Sequence, residues 1–256
     1  MMPRGLTISV ALLLLITVPA CFSGWENEKS KSVDPPAARK QAAKPSTAAD
    51  VDRILANSEN ETALSLYQAA ATAVSLKRRD DAAFLLFAAQ IRARGDVKAF
   101  PPVGTGANSP GVALTALSRQ IGNFVNPAIM RDRGGYSRVV ARLERWKPKY
   151  DVGYVPGWEF KNPLPLDQCA AAAMEFWNIN VAGMRGMNTL FQNDEYHGLI
   201  RKIQDYNLDD DFIRKIDDGQ FPPSKVSEAD FKRAKARAEE IEKQMGIEGL
   251  FYEKPN

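Results

Sequence analysis

A chain of 256 residues, 45% apolar and 25% charged, has the composition of an ordinary globular protein and enough material for a well-covered core. Its formal charge of +3 comes from basic residues spread along the chain rather than massed on one stretch, which argues against nucleic acid as a partner. Two cysteines and a single histidine exclude a disulfide framework and any zinc site built from several such ligands, and no cofactor is expected.

In chain order, Arg4 gives a positive flank to the apolar run Leu6 to Thr17, and Val18-Pro19-Ala20 sets a small residue before Cys21. This is the layout of a cleavable export signal over residues 1–20, too short and wrongly flanked for a stable spanning helix. From Trp25 to Ala49 the chain is rich in Lys, Ser, Ala and Pro. Such a segment has too little to bury to offset its ordering entropy, so residues 21–48 read as a flexible tether and 49–256 as a single α-helical domain.

The residues Val18, Ala20 and Cys21 resemble the lipobox of bacterial lipoprotein precursors, although Pro19 is an unusual occupant of the middle position. The resemblance implies that the Cys21 thiol carries a diacylglycerol, which would fasten the protein to the bacterial cell envelope, facing the periplasm. The other reading is ordinary cleavage after Ala20. That would release a soluble periplasmic or secreted protein and leave Cys21 able to pair with Cys169.

Asp50 to Leu55 reads as a short helix with Asp50 as its cap, and Asn60 is placed to cap the next. Ala63, Leu66, Tyr67, Ala70, Ala73 and Val74 recur at helical spacing, and a second helix follows from Ala82 to Arg94, with Gly95 as its stop. This hairpin, residues 61–95, resembles one tetratricopeptide repeat unit through Ala70, Asp80-Asp81-Ala82 and Ala89. No second copy follows, so a helical hairpin inside a larger bundle is the expectation rather than a stacked array.

Phe100 to Gly111 is dense in turn formers, and Gly104-Thr105-Gly106 lacks the residues a phosphate loop requires. A helix is expected over Val112 to Val125, with Asn126-Pro127 ending or kinking it, and another over Tyr136 to Trp146. Lys147 to Leu166 combines prolines and glycines with Tyr150, Tyr154, Trp158 and Phe160, just after Trp146. These five rings form either a hydrophobic lid lying on the helices or a binding surface, since Trp and Tyr are enriched at interface hot spots.

Asp167 is placed to cap the next helical region, in which Cys169, Ala172, Ala173, Phe176 and Trp177 make a buried stripe and Gly183 and Gly186 predict a bend. Amphipathic helices follow over Asp194 to Tyr206, over Leu208 to Asp217 and from Ser227 to Met245. A calcium loop beginning at Asp205 fails, because Asp210 stands where glycine is needed and Ile216 where the closing Glu belongs.

Chemistry has few places to sit. His197 falls on a solvent-leaning position with no nucleophile signature elsewhere. Glu175, followed by Ala182-Gly183-Met184-Arg185-Gly186-Met187, resembles the lysozyme-like lytic transglycosylases, which implies Glu175 as acid and base; Phe176 departs from the Ser of that pattern. The fold expected is an irregular all-α bundle of antiparallel hairpins with one long Pro/Gly/aromatic-rich loop. The function expected is that of a lipid-anchored envelope protein whose helical domain binds another macromolecule, a protein of the envelope, without catalysis. A carboxylate-dependent cell-wall hydrolase or lyase, and a periplasmic immunity-type inhibitor of a secreted toxin, are the alternatives.

Overall fold

The computed structural model describes residues 45–247 except 105, 107, 108 and 218, and the structural statements below concern those residues. The leader, Cys21 and most of the tether lie outside them. In chain order the helices are α1 (Ala48–Ala56), α2 (Ala63–Ser75), α3 (Arg79–Ala99), α4 (Pro110–Arg131), α5 (Arg133–Arg145), α6 (Leu166–Gln192), α7 (Asp194–Asn207), α8 (Asp210–Asp217) and α9 (Glu228–Gln244). The described residues contain no strand, only one isolated antiparallel bridge between Pro102 and Phe160. The expected all-α bundle is the observed fold.

The bundle is arranged around α3. Every residue from Ala82 to Ala89 is buried and apolar, so this part of the helix is apolar around its whole circumference and has to be enclosed. Helices α2, α4, α5 and α6 enclose it, while α1 rests on α2, α8 on α4, and α9 on α7. Helix α9 buries a narrow stripe, Ala234, Ala238 and Ile241, together with Glu242, which accepts from the Tyr196 hydroxyl at 2.7 Å, and leaves most of its other charged residues outside.

Several helix ends differ from the sequence expectation, each for a local reason. Thr47 caps α1, and Asp50 is its capping-box partner rather than the cap, because a side chain three residues into the helix reaches back to the free N–H groups. Thr62, not Asn60, caps α2. Pro165 stands at the cap position of α6, with Asp167 in its first turn. Helix α4 runs through Pro127 to Arg131, and the Pro127 carbonyl accepts from the Gln204 side chain of α7 at 3.4 Å. Helix α6 does not break at Gly183 or Gly186; burial of Met184, Met187, Leu190 and Phe191 along it outweighs about 1 kcal/mol of lost propensity per glycine.

Gly95 does not stop α3. It sits within the helix, where a Cβ would lie 2.9 Å from the Cα and Cβ of Ala173 and 3.0 Å from the Tyr150 hydroxyl. A missing methyl group therefore sets how closely α6 and the aromatic loop approach α3. Glycine to alanine in a helix interior ordinarily stabilises by up to about 1 kcal/mol. Gly95→Ala reverses that sign here, and urea unfolding should show a loss of about 1–3 kcal/mol from overpacking.

Candidate functional site

The loop between α5 and α6, residues 146–165, crosses the end of α3 and is fixed there by a buried polar network. Arg92 and Asp96 lie one turn apart on α3 with their charged groups 3.5 Å apart, and neither is exposed. The Tyr150 hydroxyl donates to one Asp96 carboxylate oxygen at 2.9 Å and the Tyr154 hydroxyl to the other at 2.6 Å. Arg92 donates to the Lys149 carbonyl at 2.7 Å and to the Tyr154 hydroxyl at 3.1 Å. Its guanidinium carbon lies 4.3 Å from the centres of both tyrosine rings. A buried charge needs such company, since desolvation costs several kcal/mol per ion unless partners fill its hydrogen-bonding positions.

Burial pushes the Asp96 carboxyl up, to about 6, against the opposing pull of Arg92, Tyr154, Tyr150 and the Ala63 backbone. Burial raises the Tyr150 and Tyr154 hydroxyls as well, and the Asp96 carboxylate beside them adds to it. Both tyrosines therefore remain proton donors at neutral pH.

The five rings are distributed unequally around this network. Trp146 and Tyr150 are buried, and Tyr154, Trp158 and Phe160 are half-buried. Trp146 meets Phe84 edge to face, and Phe100 of the α3 terminus contacts Tyr150, Tyr154 and Phe160 at 5.2–6.0 Å between centres. The Trp158 indole donates to the Phe100 carbonyl at 3.0 Å. Backbone bonds from Val103 to Glu159, from Lys161 to Pro101 and from Leu164 to Ala99 tie the returning arm of the loop to the residues after α3. The rings point at the bundle. What faces outward is the tip, where Val152 is 93% exposed beside Gly153 at φ +86°.

Sequence reasoning passed over Arg92 and Asp96. Their only local signal is an i, i+4 charge pair, and Arg94 and Lys98 in the same stretch make that pair look like part of a solvated face.

The remaining candidates lie apart from one another. Glu175 is on the exposed side of α6, paired with Lys98 at 2.5 Å, with half of its side chain open to solvent. Cys169 is buried, with its sulfur 3.4 Å from the Leu164 carbonyl, and burial raises its thiol pKa, first among causes that include Asp96 and Asp167. His197 is half-buried rather than solvent-leaning: its Nε2 lies 3.1 Å from the Met130 carbonyl and its ring meets Phe191 edge to face. Burial lowers its pKa.

A cleft of about 360 Å³ opens on another side of the bundle, between the α2–α3 turn, α4 and α8. Val74, Ala82, Phe124, Val125, Ala128 and Ile216 give it an apolar floor, and Lys77, Arg79 and Lys215 a basic margin. No group of three or more His, Cys, Asp or Glu residues placed to hold a metal ion occurs among the described residues. No described helix is long and apolar enough to cross a membrane.

No family model matches this chain, and neither a search of curated proteins nor one of solved structures finds a significant likeness.

Two outcomes follow from the network. Removing the Tyr154 hydroxyl in Tyr154→Phe leaves an Asp96 oxygen and the Arg92 Nε short of a partner, and should lower unfolding free energy by about 1–3 kcal/mol in urea titrations. Asp96 also imposes a pH dependence opposite to that of an ion-paired surface aspartate. Between its ordinary value of 3.8 and about 6, the folded protein holds a proton that the unfolded chain has released. Its contribution is thus full below about pH 4 and is lost as pH rises through about 6, by roughly 3 kcal/mol in total. Subtracting the stability–pH curve of Asp96→Asn from that of the unaltered protein should isolate this decline.

Proposed function

We propose that this is a lipid-anchored protein of the bacterial cell envelope whose helical domain binds another macromolecule through the tip of the α5–α6 loop, without catalysing a reaction. The anchor rests on the leader, with Arg4 and the apolar run before Val18-Pro19-Ala20-Cys21. The composition of residues 21–48 suits a tether that lets the domain range tens of ångströms from the membrane, at roughly 5–6 Å times the square root of residue number.

The observation that carries the binding reading is the contrast within one loop. Its base is fixed to α3 by a buried charge network, while Val152 at its tip is 93% exposed. Loops held by a rigid scaffold are common carriers of recognition, because little conformational entropy remains to be lost on binding. On this reading Trp146, Tyr150, Tyr154, Trp158 and Phe160 position the tip and do not themselves meet the partner.

Mass spectrometry of protein from envelope preparations should find a diacylglycerol-bearing Cys21 as the mature N-terminus; an unmodified Cys21, or a bridge to Cys169, would refute the anchor. Val152→Asp should abolish stoichiometric co-purification of a partner from envelope extracts with the unfolding midpoint unchanged. Undiminished capture by Val152→Asp would count against the loop tip, and release of cell-wall fragments that stops in Glu175→Gln would count against a non-enzymatic role.

A further inference from the structure

Helix α1 ends in a turn that reaches the base of the α5–α6 loop. In that turn the Glu59 carbonyl accepts from the Lys149 N–H at 2.7 Å, and the Glu59 carboxylate pairs with the Lys149 ammonium. The Lys149 carbonyl accepts from Arg92 at 2.7 Å, and the next residue, Tyr150, has its hydroxyl on Asp96. Lys149 is therefore held from two sides, by the buried charge pair of α3 and by a turn that belongs to neither α3 nor the loop. We propose that α1 is a latch for the loop: seated on α2 it fixes residues 149–154 against α3, and when α1 lifts those residues loosen while the other helices stay folded.

Hydrogen bonds within the turn attach Glu59 to α1 rather than to α2. The Asn57 N–H donates to the Ile54 carbonyl and the Asn60 N–H to the Asn57 carbonyl, with a further bond of 2.8 Å between the two asparagine side chains. Residues 57–60 are thus built onto the end of α1. The start of α2 is fastened separately: Thr62 caps it, the Ser65 hydroxyl donates to Glu61, and the Ala63 backbone bonds to Asp96. Lifting α1 carries off the Glu59 carbonyl and leaves α2 in place.

Helix α1 is also lightly held. It is nine residues long, buries Val51 and Ile54 completely and rests on α2. Its ion pairs, Asp52 to Arg78 at 2.7 Å and Arg53 to Glu61 at 3.6 Å, each involve a side chain more than half exposed and add little. An element with few buried contacts opens locally at lower free energy than the core it rests on. Residue 45 leads directly into α1, so on the anchored reading proposed above a pull along the tether reaches the loop through this latch; the latch itself does not rest on that reading.

Hydrogen–deuterium exchange of the purified full chain, read by mass spectrometry, is the test. Ile54→Ala should speed exchange at residues 48–57 and at 149–154 together, by about tenfold or more, with α5 and α6 unchanged. Ile54→Val should do the same by a smaller factor. Ile241→Ala, the same truncation at a buried position of α9, should leave residues 149–154 as they were. Faster exchange in α1 without the loop, unchanged exchange in both, a rise spread evenly over all helices, or an equal response of the loop to Ile241→Ala would overturn the proposal.

Discussion

Two opposite charges, Arg92 and Asp96, are buried on the helix that the rest of the bundle surrounds. Neither could stay there alone, and one helix turn of separation leaves most of their hydrogen-bonding capacity unfilled. The α5–α6 loop supplies what is missing: two tyrosine hydroxyls, a backbone carbonyl and two ring faces. A segment too rich in proline and glycine to form a long helix is held in one conformation because the core cannot do without its polar atoms. Charge burial in α3 and order in the loop are one constraint seen from two sides.

Close approach of backbones follows from the same arrangement. Gly95 lies one residue before Asp96, and its missing Cβ admits Ala173 of α6 and the Tyr150 ring together. Gly135 plays a related part at the start of α5, where a Cβ would lie 2.6 Å from an Asp132 carboxylate oxygen and 2.9 Å from one of Asp80. The Asp132 carboxylate caps α5, and both carboxylates pair with Arg138, which joins the first turns of α3 and α5. Small residues here act through the space they leave open rather than through flexibility.

The protein therefore presents two outward features of different character. The loop tip exposes Val152 between Asp151 and Gly153, above a base fixed to α3. The cleft between the α2–α3 turn, α4 and α8 has an apolar floor and is bordered by Lys77, Arg79 and Lys215. The first depends on the buried Arg92–Asp96 network, in which every group except the Arg92 Nη1 finds a partner.

What the sequence alone determined was the class of fold and the inward faces of its helices, because the 3.6-residue period of Leu66, Ala70 and Ala73, or of Ala234, Ala238 and Ile241, is a property of neighbouring residues. Ser227 was legible as a cap for the same reason. The continuation of α4 past Pro127 and of α6 past Gly183 was decided by contacts from other helices, which outweigh local breakers. So was the role of the aromatic loop, since the partners of Tyr150 and Tyr154 lie more than 50 residues away on α3. The cleft joins Lys77 to Lys215 across an even longer separation, and only tertiary packing brings such residues together.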